Sequence, residues 1–202
     1  MKMVLTLTLI WILSSTTEAL QCLVQNHESD NIRYETCSSP DQLCATTAQR
    51  TLGWGGKDSV SRGCRLSTDC TTKTVSHTVG SMIAASSTRC CNTDLCNDHK
   101  VPYPDVTTKN GLQCISCMEP KDPECKLIDC VGEQDRCFES FPKDKYTSHV
   151  RGCASAGFCE ALYQSSQMSN SVFTRAPICN SAWKVKLSVA PLLLGLVVLV
   201  VL

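Results

Sequence analysis

The sequence predicts a small, disulfide-rich, all-β protein arranged as two tandem domains. Three observations predict it. There are 16 cysteines among 202 residues, and at that density a disulfide framework in an oxidising compartment is expected. The cysteine spacing occurs twice along the chain. Between the cysteines lie β-branched runs and Gly-rich turns, with no long stretch of helical periodicity.

The N-terminus reads as a secretory signal. Lys2 is a short basic region, residues 4–13 form an apolar run, and Thr17-Glu18-Ala19 ends in a small residue. Cleavage after Ala19 is expected, giving a signal peptide of residues 1–19. A second apolar run covers residues 189–202 and is preceded by the small triplet Asn180-Ser181-Ala182. Its length falls short of the ~20 apolar residues that a membrane span needs. Triplet, short polar spacer and apolar tail have the layout of a GPI-anchor signal, with attachment expected at Asn180 and residues 181–202 as the propeptide. The expected location is the extracellular face of the plasma membrane, held in its outer leaflet by GPI.

Removing both ends takes away Lys2, Lys184, Lys186 and Glu18, leaving 16 basic against 18 acidic residues, a net charge of −2. No basic cluster exceeds Lys143-Asp144-Lys145. This balance gives no support to nucleic-acid binding.

The repeat is read from the cysteine positions. Eight fall at 22, 37, 44, 64, 70, 90, 91 and 96, and eight at 114, 117, 125, 130, 137, 153, 159 and 179. Leu20-Gln21-Cys22 returns as Leu112-Gln113-Cys114, and Arg62-Gly63-Cys64 as Arg151-Gly152-Cys153. The intervals 37→44 and 130→137 match, as do 64→70 with 153→159 and 70→90 with 159→179. Such self-similarity marks tandem domains. The expected division is a first domain at 20–98, a linker at 99–111 carrying Pro102, Pro104 and Asn110-Gly111, and a second domain at 112–180. Domains of this size bury thin cores and need staples.

The first set closes on Cys90-Cys91-Asn92-Thr93-Asp94-Leu95-Cys96-Asn97. Adjacent half-cystines do not easily bond each other, since a disulfide needs converging Cβ vectors. Cys91 can close a small loop to Cys96, and Cys90 must reach back. The stretch resembles the closing signature of the lymphocyte-antigen-six and urokinase-receptor family. The resemblance implies two three-finger, snake-toxin-like domains. For the first domain it implies the pairs Cys22–Cys44, Cys37–Cys64, Cys70–Cys90 and Cys91–Cys96. For the second it implies Cys114–Cys137, Cys117–Cys125, Cys130–Cys153 and Cys159–Cys179. The first domain departs from the family pattern at Gln25, which stands where Cys117 stands later. The second lacks the closing Cys-Cys, with Asn180 where Cys91 stood. Each departure removes a whole pair.

The fingers are legible as hairpins. Thr46-Thr47 and Ser59-Val60-Ser61 flank the turn-rich Gly53-Trp54-Gly55-Gly56, and residues 71–79 are β-branched. Trp54 is the candidate ligand-binding anchor, an aromatic that its glycine neighbours cannot cover. In the second domain Phe138, Phe141 and Tyr146 read as sheet packing, and residues 163–173, rich in Ser, Gln and Asn, as a mobile loop.

No enzyme is expected. Gly-x-Ser-x-Gly, His-Glu-x-x-His and nucleotide-binding glycine motifs do not occur. Cys114-Ile115-Ser116-Cys117 has better partners in the framework than a redox dithiol would use. The four histidines, His27, His77, His99 and His149, lack zinc spacing and read as solvated loop residues, so no metal or cofactor is expected. The family resemblance implies a non-enzymatic surface protein, most similar to urokinase-receptor-like members. Its expected partner is an extracellular protein ligand or a neighbouring membrane receptor. The alternatives it leaves open are an inhibitor of a secreted enzyme such as a phospholipase, and a cell–cell adhesion factor, including between gametes.

Overall fold

A computed structural model describes residues 19–25, 31–53, 55–70, 73–119, 122–143, 149–168 and 172–184. These fall into two compact units. The first takes the residues up to Thr51, from Gly55 to Thr74 and from Ala85 to Pro104. The second takes Val75–Ala84 and the residues from Asp105 onward, with Leu52 and Gly53. The hairpin at 75–84, which the cysteine spacing counts with the first repeat, thus clusters in space with the second unit.

In the first unit β1 (Gln21–Val24) pairs antiparallel with β2 (Arg33–Thr36). β3 (Gln42–Leu52) and β4 (Ser59–Leu66) form the second finger, with Cys44 opposite Cys64. β3 is also flanked by β6 (Met82–Cys91), whose Thr88 hydroxyl lies 3.0 Å from that of Thr47. Consecutive residues of β3 from Cys44 to Ala48 are buried. Such burial on both faces suits a central strand, and the small Ala and Thr side chains let neighbours approach. The apolar centre of the unit is largely cystine: Cys22, Cys37 and Cys44 are buried, with Leu20, Cys64, Cys91 and Cys96 packed on them.

Four disulfides hold each unit. Cys22–Cys44, Cys37–Cys64, Cys70–Cys90 and Cys91–Cys96 close the first. Cys114–Cys137, Cys117–Cys125, Cys130–Cys153 and Cys159–Cys179 close the second. Bridges of this kind are worth about 2–4 kcal/mol each, chiefly by restricting the unfolded chain.

One side chain ties the first unit shut. Asn97 is fully buried. Its Nδ2 donates to the carbonyls of Leu23 and Ala45 at 2.9 and 3.0 Å, and its Oδ1 accepts from the Leu23 amide at 2.9 Å. Its own carbonyl accepts from Thr46 Oγ1 and Arg62 Nε. A primary amide is the one group that offers two donors and an acceptor in a single plane. Upstream, Asp94 accepts from the Gln21 amide and Leu95, in the left-handed region at φ 56°, donates to the Gln21 carbonyl. The closing signature therefore clamps β1 along its length.

The second unit is built around β7 and β10. β7 (Lys109–Glu119) pairs with β8 (Asp122–Val131). β10 (His149–Ala154) pairs on one side with β9 (Arg136–Pro142), which in turn pairs with β11 (Phe173–Ser181). The other edge of β10 is shared. Its first half meets β7, with Arg151 opposite Cys117, and its second half meets β5 (Val75–Val79), with Cys153 opposite Thr78 and Ala154 opposite His77. Gln134, fully buried, ties this joint together. It accepts from Thr78 Oγ1 and the Val131 amide and donates to Ser76 Oγ.

The sequence expectation of a mobile loop from residue 163 is corrected. A helix, α1 (Ala156–Met168), occupies the start of that segment. The Ser155 hydroxyl accepts from the Phe158 amide as an N-terminal cap. Phe158, Cys159 and Leu162 share one face and pack with Val79, Phe138 and Ala154, while Cys159 is bonded to Cys179. Phe158, Leu162 and the Cys159 disulfide hold the helix; its polar second half hid it from a periodicity reading. Phe138 and Phe141 are both buried; Tyr146 lies outside the described residues.

Candidate recognition surface

The first finger presents an exposed strand. All four residues of β2 are exposed. Strand alternation puts Ile32 and Tyr34 on one face and Arg33 and Glu35 on the other. Tyr34 is 71% exposed and Ile32 51%. Bulky apolar side chains left open side by side are what interface anchors look like before a partner arrives. The sequence reading passed over them because charged neighbours interrupt any apolar pattern.

Beside this finger a groove of about 280 Å³ runs along β4, lined by Glu35, Gln42, Ser61, Arg62, Gly63 and Arg65 among others. Arg62 is committed at its floor: its guanidinium holds the Asn97 carbonyl and the Gln25 side chain. Gln25 and Arg62 also exchange backbone hydrogen bonds at 3.1 and 2.9 Å. Cys117 and Arg151 face each other at the same place in the second unit.

The second finger is fastened below its tip. Arg50 donates to both carboxylate oxygens of Asp58, the shortest contact being 2.8 Å, and its guanidinium lies 4.9 Å from the Tyr103 ring. The Arg50 hydrogen bond holds the Asp58 carboxyl below its ordinary range. Trp54, the anchor expected from the sequence, lies outside the described residues.

The histidines need correcting too. His77 and His149 are on strands, not loops, and half-buried. His77 packs against Phe158, with ring centroids 4.5 Å apart, and meets Phe138 edge-on. Burial there lowers its pKa from the ordinary value. His149 stacks on Phe141 at 4.7 Å, accepts from Arg151 Nε and lies 3.4 Å from Glu139. His99 hydrogen-bonds the Cys96 carbonyl, and His27 is outside the described residues.

Two cysteine triplets, Cys22/Cys37/Cys64 and Cys114/Cys130/Cys153, bring their sulfurs within 4.8 Å. Every one is half of a disulfide, and an oxidised sulfur is no thiolate ligand.

The u-PAR/Ly-6 domain model matches this chain twice, over residues 16–99 and 110–182. The chain belongs to the u-PAR/Ly-6 family. Among curated relatives it is similar to the urokinase plasminogen activator surface receptor of Rattus norvegicus, 32% identical over 46% of this chain and 31% of that protein. The receptor of the same name from Aotus trivirgatus is 29% identical over 71% of this chain and 46% of its own length. That from Mus musculus is 28% identical over 86% and 57%. The chain thus spans about half the length of the curated relatives it matches. The crystal structure of mouse TEX101 aligns at 17% identity with a TM-score of 0.28, covering 80% of this chain and 98% of that one.

In this u-PAR/Ly-6 chain Asn180 is exposed in β11, opposite Cys137. The next residues stay in the fold. Ser181 faces Arg136, the Ala182 amide donates to the Asp135 carbonyl, and β12 (Trp183–Lys184) pairs with Gln113 and Leu112 of β7. Among the described residues no helix is long and apolar enough to cross a membrane.

Proposed function

We propose that this chain is a GPI-anchored, non-enzymatic binding protein of the cell surface, similar in class to the urokinase receptors, with two domains at 20–98 and 112–180 and attachment at Asn180. Its ligand is an extracellular protein or a neighbouring receptor, met by the fingers. The observation that carries the reading is the pairing of a clamped strand with an exposed one. Asn97 and the Cys22–Cys44 bridge fix β1, while Tyr34 of its partner β2, and Ile32 just before that strand, stay exposed. A preorganised strand presenting a two-torsion aromatic spends little entropy on binding. Trp54 belongs to the same proposal, as a second anchor on the neighbouring finger. The curated relatives are surface receptors by name, which supports the class.

The test has two arms on intact cells. Phosphatidylinositol-specific phospholipase C should release the protein; retention while a known GPI protein is released would refute the anchor. A photo-crosslinking residue at position 34 should capture a discrete extracellular protein. Capture equal to that from a buried control position would refute the binding surface.

A further inference from the structure

The two Arg-Gly-Cys motifs sit in matching ladders and differ in what covers them. In the second unit Gly152 lies opposite Phe138 and Cys153 opposite Cys137; in the first, Gly63 lies opposite Ala45 and Cys64 opposite Cys44. On the outer edge, Arg151 meets Cys117 as Arg62 meets Gln25. Beyond that point the copies part. β10 continues against β5, and a Cβ on Gly152 would stand 1.9 Å from the Thr78 carbonyl oxygen. Ala154 and Ser155 are accordingly buried. Around Gly63 nothing lies within 4 Å of the same atom. Among the described residues no strand is hydrogen-bonded to the outer edge of β4 past Arg62, although β1 and β2 pack near it and Cys37 is bridged to Cys64. Arg65 and Leu66, which correspond to Ala154 and Ser155, are exposed.

We propose that the outer edge of β4 from Gly63 to Leu66 is a docking site for an antiparallel edge strand of another protein, one with a carboxylate opposite Arg65. Three observations select this occupant. The duplicate motif holds a strand in the same place, so the geometry accepts one. Gly63 is free of a side chain that would block a carbonyl at this distance, although nothing within the unit requires a glycine there. The position facing Arg65 corresponds to His77, which faces Ala154 in the second unit; replacing an apolar partner by an exposed cation calls for an acid across the ladder. Strand addition supplies affinity through backbone hydrogen bonds and specificity through alternate side chains. The proposal deepens the surface-binding role above and rests on it.

The probe is a backbone-cyclised hairpin peptide of Val75–Ala84, made unmodified and with His77→Glu and His77→Lys. Binding to the detergent-solubilised full chain is followed by fluorescence polarisation. The His77→Glu peptide should bind at least tenfold tighter than the His77→Lys peptide. Gly63→Val should weaken it more than tenfold with an unchanged melting temperature, and Arg65→Glu should reverse the charge preference. Binding undiminished in Gly63→Val, or no saturable binding of any peptide, overturns the proposal. Dimerisation of the chain alone that is lost in Gly63→Val would also overturn it, making the occupant a second copy. Photo-capture at position 34 is independent of these results, so the surface-binding reading stands or falls separately.

Discussion

Asn97 and Leu23 close a hydrogen-bonded ring: the Leu23 amide donates to the Asn97 side chain, which donates back to the Leu23 carbonyl, both at 2.9 Å. The same amide nitrogen reaches Ala45. Replacing it by aspartate keeps the shape and removes both donors, leaving two carbonyls facing a carboxyl group. Asn97→Asp should cost about 3 kcal/mol at neutral pH, since each buried unmet polar group costs ~1–3 kcal/mol. Chemical denaturation should show it as a lower midpoint with an unchanged slope.

Gly152→Ala and Gly63→Ala are the same substitution in matching motifs, with opposite expectations. The first drives a methyl into the Thr78 carbonyl and should cost ~3 kcal/mol or more. The second meets open space and should stay within about 0.5 kcal/mol. Secretion yield and melting temperature of the pair decide it; equal effects would contradict the packing.

Ser155 Oγ accepts two backbone amides, from Ser76 at 2.9 Å and from Phe158 at 3.2 Å. Ser155→Ala orphans both, one of them the helix cap. About 2 kcal/mol should be lost, with faster amide exchange in the first turn of α1 and in β5. Exchange confined to α1 would mean that the Ser76 contact contributes nothing.

His77 gives the second unit a pH dependence. Burial lowers its pKa in the fold, so below the ordinary value near 6.5 the unfolded chain binds the extra proton more readily. Its contribution is complete above that pH and is lost as pH falls below it toward the depressed folded value. The melting temperature should therefore drop between pH 7.5 and pH 5, and His77→Phe should flatten that drop. An identical slope in the variant would assign the effect elsewhere.

Tyr34→Ala removes a side chain with little to hold it in its own unit. Stability should shift by less than about 0.5 kcal/mol. Ligand capture on cells should weaken about 30-fold, the equivalent of ~2 kcal/mol for an aromatic anchor. A large fall in melting temperature would show that Tyr34 packs against its own finger instead.

The disulfide-rich, two-domain β character was legible because cysteine spacing is rigid arithmetic that survives without any knowledge of the core. The extended segments were legible where β-branched residues cluster, as from Val75 to Val79. The helix was not, because only Phe158, Cys159 and Leu162 carry its apolar face. His77 and His149 were misread because nothing in their flanking residues announces the phenyl rings that pack on them from distant strands. The hairpin at 75–84 clusters with the second unit through Gln134 and Ser155, contacts 56 to 79 residues away that no local pattern encodes.

The clamp from Asn97 to Leu23 spans 74 residues of sequence, and this sets a clock on biosynthesis. A chain emerging N-terminus first at ~5–20 residues per second waits roughly 4–15 seconds between the two. During that interval Cys22, Cys37 and Cys44 are already made while their final lock is still unsynthesised. The Val75–Ala84 hairpin waits in the same way for β10, which is translated later. The order in which residues appear therefore runs against the order in which they are secured, and β1 is locked by a side chain made 74 residues after it.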